Sequence, residues 1–271
     1  MLGFRAPFKM PGAHSLFSPS SMKRVMACPG SVLLSQECPP LPDSPASKEG
    51  TFAHKVFEHY LAPFVSVNNL VPGEKVKHYP KDMEDLCRWA ALEVRAMIAP
   101  GAESFSEQKI DISHFTAPGM FGTADAAIVE LFDTLTIVDF KYGRAPVDAR
   151  ENVQLICYAL GKLRLYDYNF LRCRMVILQP RAEHSDGPRR EWTAPVDSLL
   201  KWETKIKKAC DTALKKNAPR KSGTHCFFCP AKVMCPEYEK DLGWKDLVSE
   251  GDPDRKANLA IADFAGIEIE E

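Results

Sequence analysis

The stretch 122–141 constrains this chain more than any other. Two apolar runs, Ala126-Ala127-Ile128-Val129 and Leu135-Thr136-Ile137-Val138, flank Phe132-Asp133-Thr134 and read as two strands of a hairpin. One run leads away from Asp125 and the other leads back to Asp139, so each apolar strand carries a carboxylate at its end. Alternation in Asp139-Phe140-Lys141 points the acid and the lysine to one face and Phe140 to the other. Charges at the end of apolar strands are costly unless they are paired or hold a metal. Chemistry is expected at this end of the hairpin.

The flanking sequence predicts further strands near 104–112 and 172–179, with the hairpin strands at 122–132 and 134–140. A helix starts at Ser18-Pro19-Ser20-Ser21 and stops before Cys28-Pro29, because proline disfavours helix at the residue before it. Residues 38–47 read as a stiff proline-rich loop. Helices follow over 48–61 and 82–98, the second with Leu86, Ala90, Val94 and Met97 as its apolar stripe, then over 153–165 and 196–217. This order describes an α/β fold with a mixed central sheet flanked by helices. At 271 residues the chain can bury a full core, and no linker divides it, so one domain is expected over 15–240. Residues 1–14, with their Gly and Pro, are expected to be flexible, as is the acidic tail 241–271.

A chain 45% hydrophobic and 26% charged reads as soluble and globular, and no apolar run is long enough for a bilayer span. The N-terminus lacks the apolar core of a signal peptide. A cytoplasmic protein is expected, in which nine cysteines are thiols or metal ligands rather than disulfides. The net charge of −1 does not advertise a polyanion binder, but its distribution is uneven. Between 201 and 221 eight bases face only Glu203 and Asp211, whereas from Lys245 onward eight acids face three bases. The basic run fits either phosphate contact or a solvated helix face.

Cys226-x-x-Cys229 with Cys235 close behind is a metal pattern: the turn brings two thiolates to one ion or cluster and the third is in reach. A zinc knuckle would take His225 as its fourth ligand, and a cluster would take a distant thiol, with Cys28 in its Cys-Pro turn as the candidate. Cys38, Cys87, Cys157, Cys173 and Cys210 read as buried thiols. Upstream of the hairpin, Gly50-Thr51-x-x-His54 lies on a helix where His54 and Glu58 share a face; downstream, Gln154 and Tyr158 sit one turn apart.

Taken in order, Cys28, His54, Asp125, Asp139-x-Lys141, Gln154-x-x-x-Tyr158 and the three late cysteines resemble the RecB-like nucleases of the PD-(D/E)XK, or restriction-endonuclease-like, superfamily that carry an iron–sulfur staple. Phe17-Ser18-Pro19-Ser20-Ser21, Cys28-Pro29-Gly30-Ser31 and Asp139-Phe140-Lys141-Tyr142-Gly143 resemble a phage-encoded branch of that group. The resemblance runs over about 15–240 and implies a restriction-endonuclease-like core whose N- and C-terminal segments are joined by a metal cluster. It implies a metal-dependent DNA exonuclease serving phage recombination, replication or DNA processing in the cytoplasm of a bacterial host cell.

Phosphodiester hydrolysis needs an activated water and stabilised phosphoryl charge, which carboxylate-held divalent cations supply. The resemblance assigns Asp125 and Asp139 to one or two Mg²⁺ or Mn²⁺ ions, with His54, the backbone carbonyl of Phe140 and Glu107 as further ligands. Lys141 would be catalytic with the two aspartates. Gln154 and Tyr158, and Lys162 a turn on, would contact the DNA backbone. Cys28, Cys226, Cys229 and Cys235 would hold a structural 4Fe-4S cluster, with Phe227, Phe228 and Pro230 shielding it. Partners would be DNA and a phage recombination, single-strand-binding or helicase protein, since the chain has no Gly-x-x-x-x-Gly-Lys-Ser/Thr loop of its own. Two alternatives stay open: a non-catalytic DNA-binding or assembly module on a nuclease fold, and an interaction protein with a zinc knuckle.

Overall fold

A computed structural model describes residues 16–39, 44–62 and 79–242, together with 255, 258 and 259. The expected flexible N-terminus lies outside these residues, as does nearly all of the acidic tail. In chain order the helices are α1 (Met22–Ala27), α2 (Ser31–Glu37), α3 (Pro45–Leu61), α4 (Met83–Ala96), α5 (Val153–Arg164), α6 (Val196–Ala213) and α7 (Pro236–Leu242). The strands are β1 (Glu103–Asp111), β2 (Phe121–Glu130), β3 (Thr134–Phe140), β4 (Arg172–Leu178) and β5 (Arg189–Pro195).

The strands form one mixed sheet in the order β1-β2-β3-β4-β5, antiparallel except for the parallel β3–β4 pair. The hairpin is as the sequence reads, although its turn is tighter: Asp133 N–H donates to Glu130 O at 3.1 Å, with Phe132 at φ 64°. A parallel pair needs a crossover, and α5 supplies it. One apolar cluster joins Leu135, Ile137, Met175 and Ile177 to Leu155, Ala159 and Leu163 of α5 and to Leu199 and Ile206 of α6. On the other side Ile128, Val138, Phe140 and Val176 pack with Ala53 and Phe57 of α3 and Ala90 and Val94 of α4. The architecture is therefore a five-stranded mixed sheet between two helical layers.

Three elements differ from expectation. Helix α3 begins within the supposed loop 38–47, because the Ser44 hydroxyl accepts from Ser47 N–H at 3.1 Å and Pro45 takes the first-turn place where its missing N–H costs nothing. Helix α2 restarts after the turn at Cys28-Pro29-Gly30. Strand β5 is a mostly polar edge strand burying Arg190 and Ala194 rather than an apolar stripe, so it leaves no periodic signal.

The glycine in α5 is required by packing. A Cβ on Gly161 would lie 2.5 Å from Ile110 Cγ2 and 2.6 Å from the Asp111 carbonyl oxygen, so α5 lies directly on β1. Gly122 at the start of β2 is likewise pressed between Pro19 and the Tyr158 ring.

Candidate metal centre and thiol cluster

The β2–β3 register pairs Ala126 with Val138, so its next step sets Asp125 opposite Asp139. Asp125 accepts the Phe140 N–H at 2.7 Å through Oδ2, which ties the end of β3 to the carboxylate. Its Oδ1 lies 3.2 Å from His54 Nδ1, delivered by α3 from the opposite side. His54 stands edge-on to Phe140, with ring centroids 5.4 Å apart.

Glu107 completes this corner from β1. It stands opposite Asp125, between the pairs Ser106–Ala126 and Gln108–Ala124, with φ 47°. That left-handed backbone is costly for a non-glycine residue and recurs where geometry serves a site. Among the described residues, His54, Glu107 and Asp125 are the three side chains whose ligand atoms all come within 4.8 Å of one another.

A second set adjoins it. Lys141 Nζ is 2.8 Å from Asp139 Oδ2, an ion contact without aligned hydrogen-bond geometry, and donates to Gln154 Oε1 at 3.1 Å. Gln154 Nε2 donates to Asp139 Oδ1 at 2.8 Å and reaches the Tyr158 hydroxyl oxygen at 3.4 Å. Asn152 caps α5 by accepting the N–H groups of Gln154 and Leu155, which sets Gln154 at the sheet end. The alternation expected of Asp139-Phe140-Lys141 holds: Phe140 stacks on Phe57 at 4.8 Å, on the face away from Gln154.

The electrostatics are those of a crowded anionic corner. Burial, then Asp125 and Glu58, push the Glu107 carboxyl up to about 7 against a smaller pull from His54. Burial and Asp125 also push Asp139 up, opposed by Lys141. Burial alone would favour neutral His54 and neutral Lys141, but the aspartates hold both above their ordinary values. A divalent cation is the partner that such a set of one imidazole and several carboxylates fits.

The remaining expected contacts divide. Gln154 joins the site directly, whereas Tyr158 is nearly buried against Gly122. Lys162 does not join it. It is 1% exposed, donates to Gln108 Oε1 at 2.6 Å and lies 3.5 Å from the Phe105 ring centroid. A turn of helix beyond Tyr158 carries it under β1, where burial pulls its pKa down to about 8. The basic run of α6 falls on that helix's solvent face, opposite buried Leu199, Ile206 and Cys210.

The four proposed cluster thiols come together from the two ends of the described chain. The backbone of 223–235 winds in successive three-residue turns (Cys226 N–H to Gly223 O, Cys229 to Cys226 O, Lys232 to Cys229 O, Cys235 to Lys232 O). Gly30 N–H donates to Pro219 O at 2.8 Å, and Lys221 N–H donates to Cys28 Sγ at 3.4 Å. Burial first, and then the neighbouring thiols, push Cys226 and Cys229 up; Cys28 acts on both, and Cys235 on Cys226. Yet among the described residues no three thiols lie within 4.8 Å of one another. A single tetrahedral zinc with bonds of about 2.3 Å would need sulfurs about 3.8 Å apart. His225 spends its Nε2 on Lys221 O at 2.9 Å.

Two readings of this region change. Phe227 and Phe228 do not shield the thiols; they are 62% and 74% exposed, because the inward positions of their short turn are taken by Cys226 and Cys229. Cys38 is not a core thiol. It is half-buried beside Met234, 3.5 Å from its sulfur, and is pushed up to about 11 by burial and then by Cys229. Spacing gave no sign of it, since α2 carries it there. Cys87, Cys157, Cys173 and Cys210 are core thiols as expected.

A family model described as a protein of unknown function, DUF2800, matches residues 14–255. The chain belongs to that family. Among solved structures it is similar to that of SSO0001, at 16% identity over 69% of this chain and 96% of that one. The TM-score of 0.29 is too low for an argument about fold. No helix among the described residues is long and apolar enough to cross a membrane.

Proposed function

We propose that this member of the DUF2800 family is a divalent-metal-dependent deoxyribonuclease, an exonuclease by resemblance to RecB-like enzymes. The observation that carries the reading is the convergence of His54, Glu107 and Asp125, from α3, β1 and β2, beside the Asp139–Lys141–Gln154 chain. His54, Glu107 and Asp125, with Asp139 and the Phe140 carbonyl, would hold one or two Mg²⁺ or Mn²⁺ ions. When bound, such ions supply charge stabilisation at a phosphoryl oxygen and a more acidic bound water.

The protein's own groups have distinct tasks in this reading. Asp125 anchors β3 through Phe140 N–H with one oxygen and keeps the other toward His54. Lys141 is held cationic by Asp139 and oriented by Gln154, and its remaining Nζ proton would serve the reacting phosphate or the attacking water. Gln154 fixes both partners at once, its oxygen taking Lys141 and its amide nitrogen Asp139. The thiols of Cys28, Cys226, Cys229 and Cys235 would, by the same resemblance, hold a structural 4Fe-4S cluster. DNA is the proposed partner, together with a phage recombination, single-strand-binding or helicase protein; any unwinding motor would be another polypeptide.

The test is digestion of end-labelled linear duplex, single-stranded and closed circular DNA with Mg²⁺ or Mn²⁺, on protein purified without oxygen. Metal-dependent loss of linear DNA, abolished by Lys141→Ala, is the expected result. A folded, cluster-loaded protein that cleaves none of them overturns the reading.

A further inference from the structure

The segment that follows Lys141 is held by a residue with no part in the site described above. Gln179, just past β4, is 1% exposed. Its Nε2 donates to the carbonyls of Gly143 and Ala145, both at 2.8 Å, and its Oε1 accepts Val147 N–H at 3.0 Å and an Arg190 Nη2 proton. All four hydrogen-bonding capacities of the amide are used, a pattern that a carboxylate, an aliphatic chain or a shorter amide cannot reproduce. Arg190, itself 3% exposed on edge strand β5, is fixed in turn by Gly187 O at 2.8 Å. Two residues further on, Arg181 spans Glu49 of α3, at 2.8 Å, and the ring of Tyr142, at 4.4 Å. The end of β4 thus grips the loop after Lys141 and the start of the helix that carries His54.

What the grip holds is exposed. Residues 143–146 face solvent, and Arg144, three residues from Lys141, is the one cation among them. A buried amide that spends three of its four hydrogen bonds on an exposed loop, the fourth tying it to Arg190 of β5, gives that loop one shape.

We propose that Gln179 is a positioning residue: by clasping residues 143–147 it holds Arg144 at the rim of the Lys141 site as a phosphate contact for the bound strand. The inference rests on the nuclease reading for the identity of the ligand. Arg144 touches the substrate; Gln179 acts only through the loop. Loss of a charge-assisted hydrogen bond of this kind weakens binding about tenfold or more.

The experiment compares wild type with Gln179→Glu, Arg144→Ala, Arg144→Lys and the Gln179→Glu/Arg144→Ala pair. Gln179→Glu keeps the acceptor half of the clasp and sets a carboxylate against the Gly143 and Ala145 carbonyls. Three readouts are needed: Mn²⁺ affinity by titration, hydrogen exchange of the 143–147 peptide, and binding of a labelled oligonucleotide in EDTA beside its KM and kcat in Mn²⁺.

Gln179→Glu should speed loop exchange and weaken oligonucleotide binding about tenfold, leaving Mn²⁺ affinity within twofold. Arg144→Ala should weaken binding equally without faster exchange, and Arg144→Lys should restore part of it. The double variant should be no worse than Arg144→Ala. Unchanged binding by Arg144→Ala, an exposed-loop variant that leaves the core intact, overturns the proposal. So does a Gln179→Glu protein that loses metal affinity and stability together, which marks a merely structural role, or strict additivity in the double variant. Wild type that binds the oligonucleotide but never cleaves would sink the nuclease reading while leaving this comparison readable in EDTA.

Discussion

Glu107→Gln offers a test of the crowded corner that needs no activity. The carboxyl is raised from its ordinary 4.5 to about 7 by burial, then by Asp125 and Glu58. Because this acid binds its proton more tightly in the folded chain, the folded state gains nothing below about pH 4.5, where both states are protonated. Stability then falls as pH rises from 4.5 to about 7, and above that the whole penalty is present. At about 1.4 kcal/mol per pH unit the displacement amounts to about 3 kcal/mol as an upper bound. Water reaching the half-buried side chain reduces this to about 1–3 kcal/mol.

Removing the charge should therefore make the metal-free variant more stable than wild type at pH 8. The gain is roughly 2–5 °C in Tm for a chain of this size. The assay is thermal unfolding followed by circular dichroism, with EDTA, at pH 8 and pH 5. The advantage should shrink at pH 5, where wild-type Glu107 is already protonated in the folded state. Added Mn²⁺ should raise the wild-type Tm more than that of the variant, since a ligand that binds only the folded state stabilises it. Equal melting temperatures at pH 8, or an advantage of the same size at both pH values, would refute the argument that burial and the neighbouring carboxylates penalise charged Glu107.

Lys141→Ala leaves the 3%-exposed Asp139 carboxylate without its contact cation. It should cost about 3 kcal/mol in urea unfolding at pH 8 and less at pH 5, where Asp139 can take up a proton. Gly161→Ala should cost about 1–3 kcal/mol despite alanine's better helix propensity, because its Cβ meets backbone on β1; an unchanged urea midpoint contradicts the close approach of α5. Protein purified without oxygen should be brown with iron bound, and Cys226→Ser should lose both; a colourless wild type with stoichiometric zinc would favour a knuckle instead.

Much of the fold is written locally. The strands β2 and β3, the caps at Ser44 and Asn152 and the stripes of α4 and α5 are each set by neighbours within a few residues, so periodicity and capping reveal them. The Asp125, Asp139 and Lys141 end of the hairpin is legible for the same reason, since one turn and strand alternation bring these residues together. His54, Glu107 and Gln154 are legible only through motif order, and no local rule says that α3, β1 and α5 deliver them to that end.

The sequence by itself determined the alternating strands, the helical stripes and which chemical groups the chain can offer a metal. Tertiary structure alone decided which of those groups meet. It buried Lys162 beneath β1 and turned Phe227 and Phe228 to solvent. It also carried Cys38 to Met234 and Cys229, and recruited a polar edge strand, β5, to brace Gln179. The reason is physical: hydrogen-bond periodicity acts over a turn of helix or a step of strand. Long-range meetings follow from how whole apolar faces pack, and single residues carry no local mark of that outcome.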